Sequence, residues 1–326
     1  MKAKSVLILL VLVAVLAFFA LRKGGRDWEE NESRTILPES FPTEEIALVE
    51  IAGQGHSVSL EKGTDGVWGV RERGGYPADL RQLWQFVVTM TQLRMAEPLD
   101  LTVESAEDYG LSDSEAVTAV LRNAEGAEMA SIRFGRKTEL SGEELGGEAA
   151  AYGAEKIPVG RYVQVADFAA LVPFTFALVD APVSAWLDKE FVHFSKVKRV
   201  ECDAWALSRT EAQAQLVLEG EIPAGRQVDA QKLGMLQGIL GRLQFEDVQK
   251  GTEGWTVEKK LRVEEFGGTV TTLHIGPATD GLRPVSVEID GNADSKYAGW
   301  TFLMRERALD LLLVSREELL QEQKSE

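Results

Sequence analysis

Four stretches of this 326-residue chain return, in the same order, in its second half. Ile46–Ile51 (IALVEI) returns as Val197–Cys202 (VKRVEC), with Val49-Glu50 matching Val200-Glu201 at an offset of 151. Residues 78–93 (ADLRQLWQFVVTMTQL) return as residues 228–243 (VDAQKLGMLQGILGRL), with Asp79 falling on Asp229 at an offset of 150. Gly126 and Gly135, nine residues apart, match Gly267 and Gly276 at an offset of 141. Gly160–Val165 (GRYVQV) finds a counterpart in Ser295–Leu303 (SKYAGWTFL). Ordered self-similarity of this kind is what a tandem duplication leaves behind. The fold must therefore be one that can be built twice.

Each repeat reads alike. Short runs with apolar residues in alternation, such as Val58 and Leu60 or Val67 and Val70, predict strands. One amphipathic helix follows. Its apolar stripe is Leu80, Leu83, Val87 and Met90, widened by Trp84 and Phe86, in the first repeat. In the second it is Leu233, Leu236, Ile239, Leu240 and Leu243. A hairpin turning at Asn123–Gly126 or Phe266–Gly268 comes next, with glycine expected at the end of its second strand. A final strand then leads into a short helix, Ala166–Val172 or Arg305–Val314. The expected fold is α+β. It comprises tandem duplicated units, each a mainly antiparallel sheet with one packed helix, behind an N-terminal transmembrane helix.

Asp79 stands just before the helical stripe with Gln82 three residues on, the arrangement of a capping box. Gly74-Gly75 ends the preceding strand and Tyr76-Pro77 holds the chain extended. Asp229 keeps the same place without Gly-Gly-Tyr-Pro, so this loop reads as a strand-to-helix joint rather than an active-site loop. Between the repeats, Pro182 breaks regular structure and Trp186–Asp188 are expected to pin one repeat against the other. Thr138–Gly160, rich in Glu and Gly, reads as a surface loop.

The start of the chain decides the compartment. Ser5–Leu21 (SVLILLVLVAVLAFFAL) is uncharged and almost wholly apolar, with Lys2 and Lys4 before it and RKGGR after it. At 1.5 Å per residue it reaches about 25 Å, which spans a bilayer with snorkelling flanks. A cleavable signal would end in small residues, whereas this segment ends AFFALRK, with Val15 and Ala17 its nearest approach to a cleavage site. The expected organisation is an anchor at 1–26, a tether at 27–43, a first α+β unit at 44–195 and a second at 196–326. The expected location is a bacterial inner membrane, crossed once at residues 5–21, with the bulk of the chain extracytoplasmic.

Residues 27–326 carry 30 basic against 52 acidic side chains, a net of −22. Such a body repels phosphate backbones, so nucleic acid is not an expected partner. Cys202 is the only cysteine, which excludes an internal disulfide and Cys-rich zinc patterns. His56, His193 and His274 fall in no ligand spacing, and no nucleophile elbow occurs. Gly135–Thr138 (GRKT) fails as a phosphate loop, and Gly53–Val58 (GQGHSV) reads as a hairpin turn rather than a dinucleotide fingerprint. Asp290, Asn292 and Asp294 alternate as in a calcium loop, but without its central Gly and closing Glu. Trp68, Trp84 and Trp255 read as core, while Trp28 and Trp300 read as surface candidates. Neither catalytic residues, a cofactor site nor a metal site are expected, and the chain reads as non-enzymatic.

The stretches VWGVRERGGYPADLRQLWQFVVTMTQLRMAEPL, EDYGLSDSEAVTAVLRNAEGAEMASIRFGRKT, GRYVQVADF and WLDKEFVHFSKVKRVE resemble the bacterial family called domain of unknown function 4340. They cover most of residues 44–201, with the Tyr109-Gly110-Leu111 turn and the Gly160–Val163 strand the most telling. The insert at Thr138–Gly160 departs from that family's short turn. The resemblance implies a membrane-anchored extracytoplasmic protein encoded beside ABC-type exporters of the gliding-motility kind. Its implied function is a non-enzymatic accessory subunit of such an envelope complex, with protein partners there. The alternative is an envelope glycan- or peptide-binding module.

Overall fold

The computed structural model describes residues 34–95, 99–141 and 156–323. The anchor at 5–21, Trp28 and residues 142–155 of the Glu- and Gly-rich stretch lie outside them. Among the described residues no helix is long and apolar enough to cross a membrane.

The fold is mixed α+β and dominated by two antiparallel sheets of eight strands. In chain order the first strands are β1 (Arg34–Thr35), β2 (Ile46–Gly53), β3 (His56–Lys62), β4 (Trp68–Val70) and β5 (Tyr76–Pro77). Helix α1 (Leu80–Gln92), β6 (Arg94–Met95) and the short α2 (Val103–Asp108) follow. Then come β7 (Val117–Asn123), β8 (Glu128–Ser141), β9 (Lys156–Val165) and β10 (Phe168–Val172). The second half runs β11 (Val197–Cys202), β12 (Trp205–Ser208), β13 (Val217–Leu218), β14 (Arg226–Val228) and α3 (Ala230–Leu240). It continues through β15 (Asp247–Lys250), β16 (Lys259–Glu265), β17 (Val270–Ile275), β18 (Leu282–Ile289) and β19 (Trp300–Arg305), and closes with α4 (Glu306–Leu309) and β20 (Leu320–Glu322). The strand orders are β10-β9-β8-β7-β2-β3-β4-β5 and β13-β12-β11-β16-β17-β18-β19-β15, with small sheets β1-β6 and β14-β20 beside them.

Strand alternation puts Val49, Ile51, Val58 and Leu60 inside the first sheet, and Val200, Leu207, Leu261, Val263, Leu273 and Val285 inside the second. The outward face of the second sheet carries the ion pairs Lys198–Glu264 and Arg262–Asp290, and there His274 shares a hydrogen bond with Glu288. Helix α1 buries Leu83, Phe86, Val87 and Met90 as its period requires. Leu80, expected in that stripe, is 46% exposed because it occupies the first turn beside the cap. In α3 only Leu236 and Leu240 are buried.

Several sequence expectations are corrected. Ala166–Val172 is not a short helix: Phe168–Val172 pairs with β9 as a strand, Phe168 opposite Val165 and Val172 opposite Arg161. The hairpin glycine in the left-handed region is Gly268, not Gly267, so the offset from Gly126 is one residue longer than the glycine match gives. Gly135 does not end its strand but sits within β8. The strand that follows β17 in the sheet is β18, so β9 answers to Leu282–Ile289 rather than to Ser295–Leu303. The ends of the Glu-rich insert are strand, with Thr138 opposite Gly160 and Ser141 opposite Lys156. The later part of the expected tether is packed: Ile36 and Leu37 are buried, and their amides donate to Leu93 and Met90 carbonyls.

The described residues fall into two compact units, one within residues 1–44, 86–118 and 130–176, the other within residues 45–85, 119–129 and 177–326. The first holds a tilted aromatic group of Phe86, Phe134 and Phe176, with Arg161 buried over the Phe134 ring. The Arg161 guanidinium donates to the carbonyls of Gly135, Thr175 and Phe176. Gly135 is required there, since a Cβ would lie 2.3 Å from the Tyr109 carbonyl. The Tyr109-Gly110-Leu111 turn thus lies directly on β8, its Tyr109 ring 4.7 Å from that of Tyr162.

Candidate functional site

The second compact unit contains the joint that the sequence singles out, and it is built from the cap outward. The Gln82 backbone N–H donates to the Asp79 carboxylate at 3.1 Å, and its side-chain amide donates to the same carboxylate at 2.9 Å. The box is therefore closed through the carboxylate, not through the Asp79 amide. That amide donates instead to Trp186 O at 2.8 Å. Burial works against the Asp79 charge, but the Gln82 backbone and side-chain hydrogen bonds and Arg81 outweigh it and hold its carboxyl below the usual range. Asp229 caps α3 in the same way, accepting from the Gln231 and Lys232 amides and donating its own N–H to Leu319 O.

Trp186–Asp188 close onto this joint. Leu187 bridges Ala78, and the Asp188 amide donates to Pro77 O. The residues that reach the second sheet come just after. Lys189 Nζ donates to Glu246 O at 2.6 Å and lies over the Phe245 ring, and Phe191 packs against Phe245 and Phe302. Burial pushes the Lys189 ammonium pKa down, but both of its carbonyl partners need it as a donor, so its role is to clamp.

The residues around the cap are not idle. Arg73 grips Asp247 with two hydrogen bonds of 2.7 Å, which raise the guanidinium pKa against its burial. Gly74 O accepts from Lys250, whose side chain fills the space that a Cβ on Gly74 would take. Tyr76 is buried edge-on against Trp300, Phe245 and Phe302, and burial drives its phenol pKa up. Trp300, expected at the surface, is thus half-buried on Tyr76. The Arg-Gly-Gly-Tyr sequence is a clasp between β4–β5 and β15–β19.

The candidate chemical groups do not converge. His56 Nε2 meets Val179 O at 2.8 Å, His274 Nε2 meets Glu288 at 2.9 Å, and His193 is exposed. Cys202 is buried on the inner face of β11, and burial raises its thiol pKa, which suits packing rather than nucleophilic attack. Asp290 is engaged by Arg262, and no His, Cys, Asp and Glu group that could hold a metal occurs among the described residues. Gln54 and Gly55, between β2 and β3, take positive φ, as a hairpin turn requires.

A cavity free of charged side chains lies beside helix α3. It has about 270 Å³ and lies between β13 and the start of α3, lined by Leu216, Leu218, Val228, Leu233, Gly234 and Gln237 among others. No residue that lines it is charged. The groove over Cys202 and His274, about 390 Å³, is by contrast lined by Glu201, Asp203, Lys260, Arg262 and Glu288. Sequence reasoning missed the apolar cavity. Its signal was the glycine at position 234, in a helix whose counterpart carries tryptophan there. Comparison with known proteins finds no matching family model, no matching curated protein and no matching solved structure.

Proposed function

We propose that this chain is a non-enzymatic accessory subunit, anchored in a bacterial inner membrane by Ser5–Leu21, whose extracytoplasmic body docks onto an ABC-type transporter complex of the gliding-motility kind. The observation that carries it is the uncharged apolar segment joined to an acidic folded body, together with the resemblance to domain of unknown function 4340. The body is read as two tandem repeats at 44–195 and 196–326. Support comes from the strand orders, in which β2-β3 and β7-β8-β9-β10 stand as β11-β12 and β16-β17-β18-β19 do. Further support is the pair of helix caps, Asp79 and Asp229, each donating its amide to a carbonyl much later in the chain.

Purification of the tagged full chain from its own membranes in mild detergent tests the reading. Transporter permease or ATPase subunits in stoichiometric amounts are expected, and recovery only as a lone protein would overturn it.

A further inference from the structure

The two repeats can be laid on one another residue by residue at the cavity. In the first, Leu60 pairs with Val70, so Trp68 stands two residues before the paired position. In the second, Leu207 pairs with Leu218, so Leu216 holds the place of Trp68. Trp84 is the fifth residue after the capping Asp79, and Gly234 is the fifth after Asp229. Trp68 and Trp84 pack edge to face with centroids 6.1 Å apart. Their counterparts, Leu216 and Gly234, both line the cavity. A Cβ on Gly234 would meet nothing within 4 Å. The half-buried Trp84 indole of the first repeat has no counterpart in the second, where the exposed Gly234 borders the cavity.

The strands beside it tell the same story. In the first sheet β4 pairs with β5, Gly69 opposite Pro77, and the Ala78 amide donates to Trp68 O. In the second, β13 is the terminal strand of its sheet among the described residues, and β14 pairs with β20 instead. The cavity is lined from both sides, by Leu216–Leu218 and by Val228. A terminal strand edge next to an apolar pocket is the arrangement that accepts an added strand with one side chain seated below it.

We infer that the cavity between β13 and α3 is a docking slot for an extended, uncharged segment of a partner protein, which places a bulky aromatic side chain over Gly234 and Leu216. This deepens the proposed accessory function by naming the chemistry of the partner, and it rests on that reading. The aromatic residue supplies from outside what Trp84 supplies within the first repeat. Main-chain hydrogen bonds to the β13 edge set the direction of the segment, and the uncharged lining selects against charged side chains at the seated position.

The test uses the full chain in lipid nanodiscs and the capped pentapeptide Thr-Val-Trp-Val-Thr, with its Trp-to-Ala analogue and N-acetyltryptophanamide as controls. The Trp peptide is expected to bind at least tenfold more tightly than either control. Gly234→Ala should retain that binding. Gly234→Trp should abolish it by filling the slot from the helix, and Gly234→Leu serves the same purpose should the tryptophan variant not fold. Equal binding of the free amino-acid amide would overturn the strand component. Binding unaffected by Gly234→Trp or Gly234→Leu, or no binding of the Trp peptide at all, would overturn the slot. Dimerisation of the full chain that Gly234→Trp or Gly234→Leu abolishes would assign the slot to a second copy and overturn the partner segment. Co-purified transporter subunits that persist in Gly234→Trp would sink the slot while leaving the accessory reading intact.

Discussion

Asp79 and Asp229 carry more than their helices. Each side chain satisfies amide donors of the first helical turn, and each main-chain N–H ties that turn to a segment far along the chain. Replacement of Asp229 by Ala should lower stability by about 1 kcal/mol, measured by urea denaturation at neutral pH. Asp79→Ala should lose a similar amount, and with a pH signature. The folded carboxyl of Asp79 titrates below its ordinary value, so its contribution is whole above the unfolded pKa and disappears as the pH falls through the folded one. The stability gap between wild type and Asp79→Ala should hold from neutrality to about pH 5 and close in stronger acid. A gap that stays constant down to about pH 2 would show that the charge plays no part. These caps were legible in the sequence because capping is local, fixed by residues within three positions. Gly135 was legible only as a glycine, because its necessity comes from the Tyr109 carbonyl on another turn.

At the scale of elements, the clasp around Tyr76 decides how strongly β4–β5 hold β15–β19. Tyr76→Ala removes a buried ring that meets three aromatic neighbours, and should destabilise by about 3–5 kcal/mol in a thermal or denaturant melt. A double-mutant cycle on Arg73→Ala and Asp247→Ala should give a coupling of about 1 kcal/mol, modest because both groups keep some contact with water. A coupling near zero would mean that the pair merely accompanies the aromatic packing. The strands, both principal helices and the β2–β3 turn could be read from periodicity and turn chemistry. Ala166–Val172 could not, because a short apolar run suits a helix turn and a buried strand equally well. The clasp was hidden for a different reason. Its partners, Asp247 and Trp300, lie far along the chain, and comparing the repeats made Gly-Gly-Tyr-Pro look dispensable because the second repeat lacks it.

Among the described residues no Asp or Glu is buried, and over residues 27–326 acidic side chains outnumber basic ones 52 to 30, so the charge excess lies where solvent reaches it. Salt should therefore stabilise the body. Screening of that self-repulsion by about 0.5 M sodium chloride should raise the melting temperature by about 2–4 °C over low-salt buffer. A fall in melting temperature would show that the surface ion pairs outweigh the repulsion. The closing contacts of the two halves also bear on how the chain is assembled as it emerges from a ribosome. The Asp79 joint stays open until residues 186–188 arrive, and the Asp229 joint until residues 319–322, each roughly a hundred residues later. The first half can close while the second is still being delivered. During that interval the Tyr76 clasp has no receiver, and an exposed aromatic waits at the leading edge for the strands that will cover it.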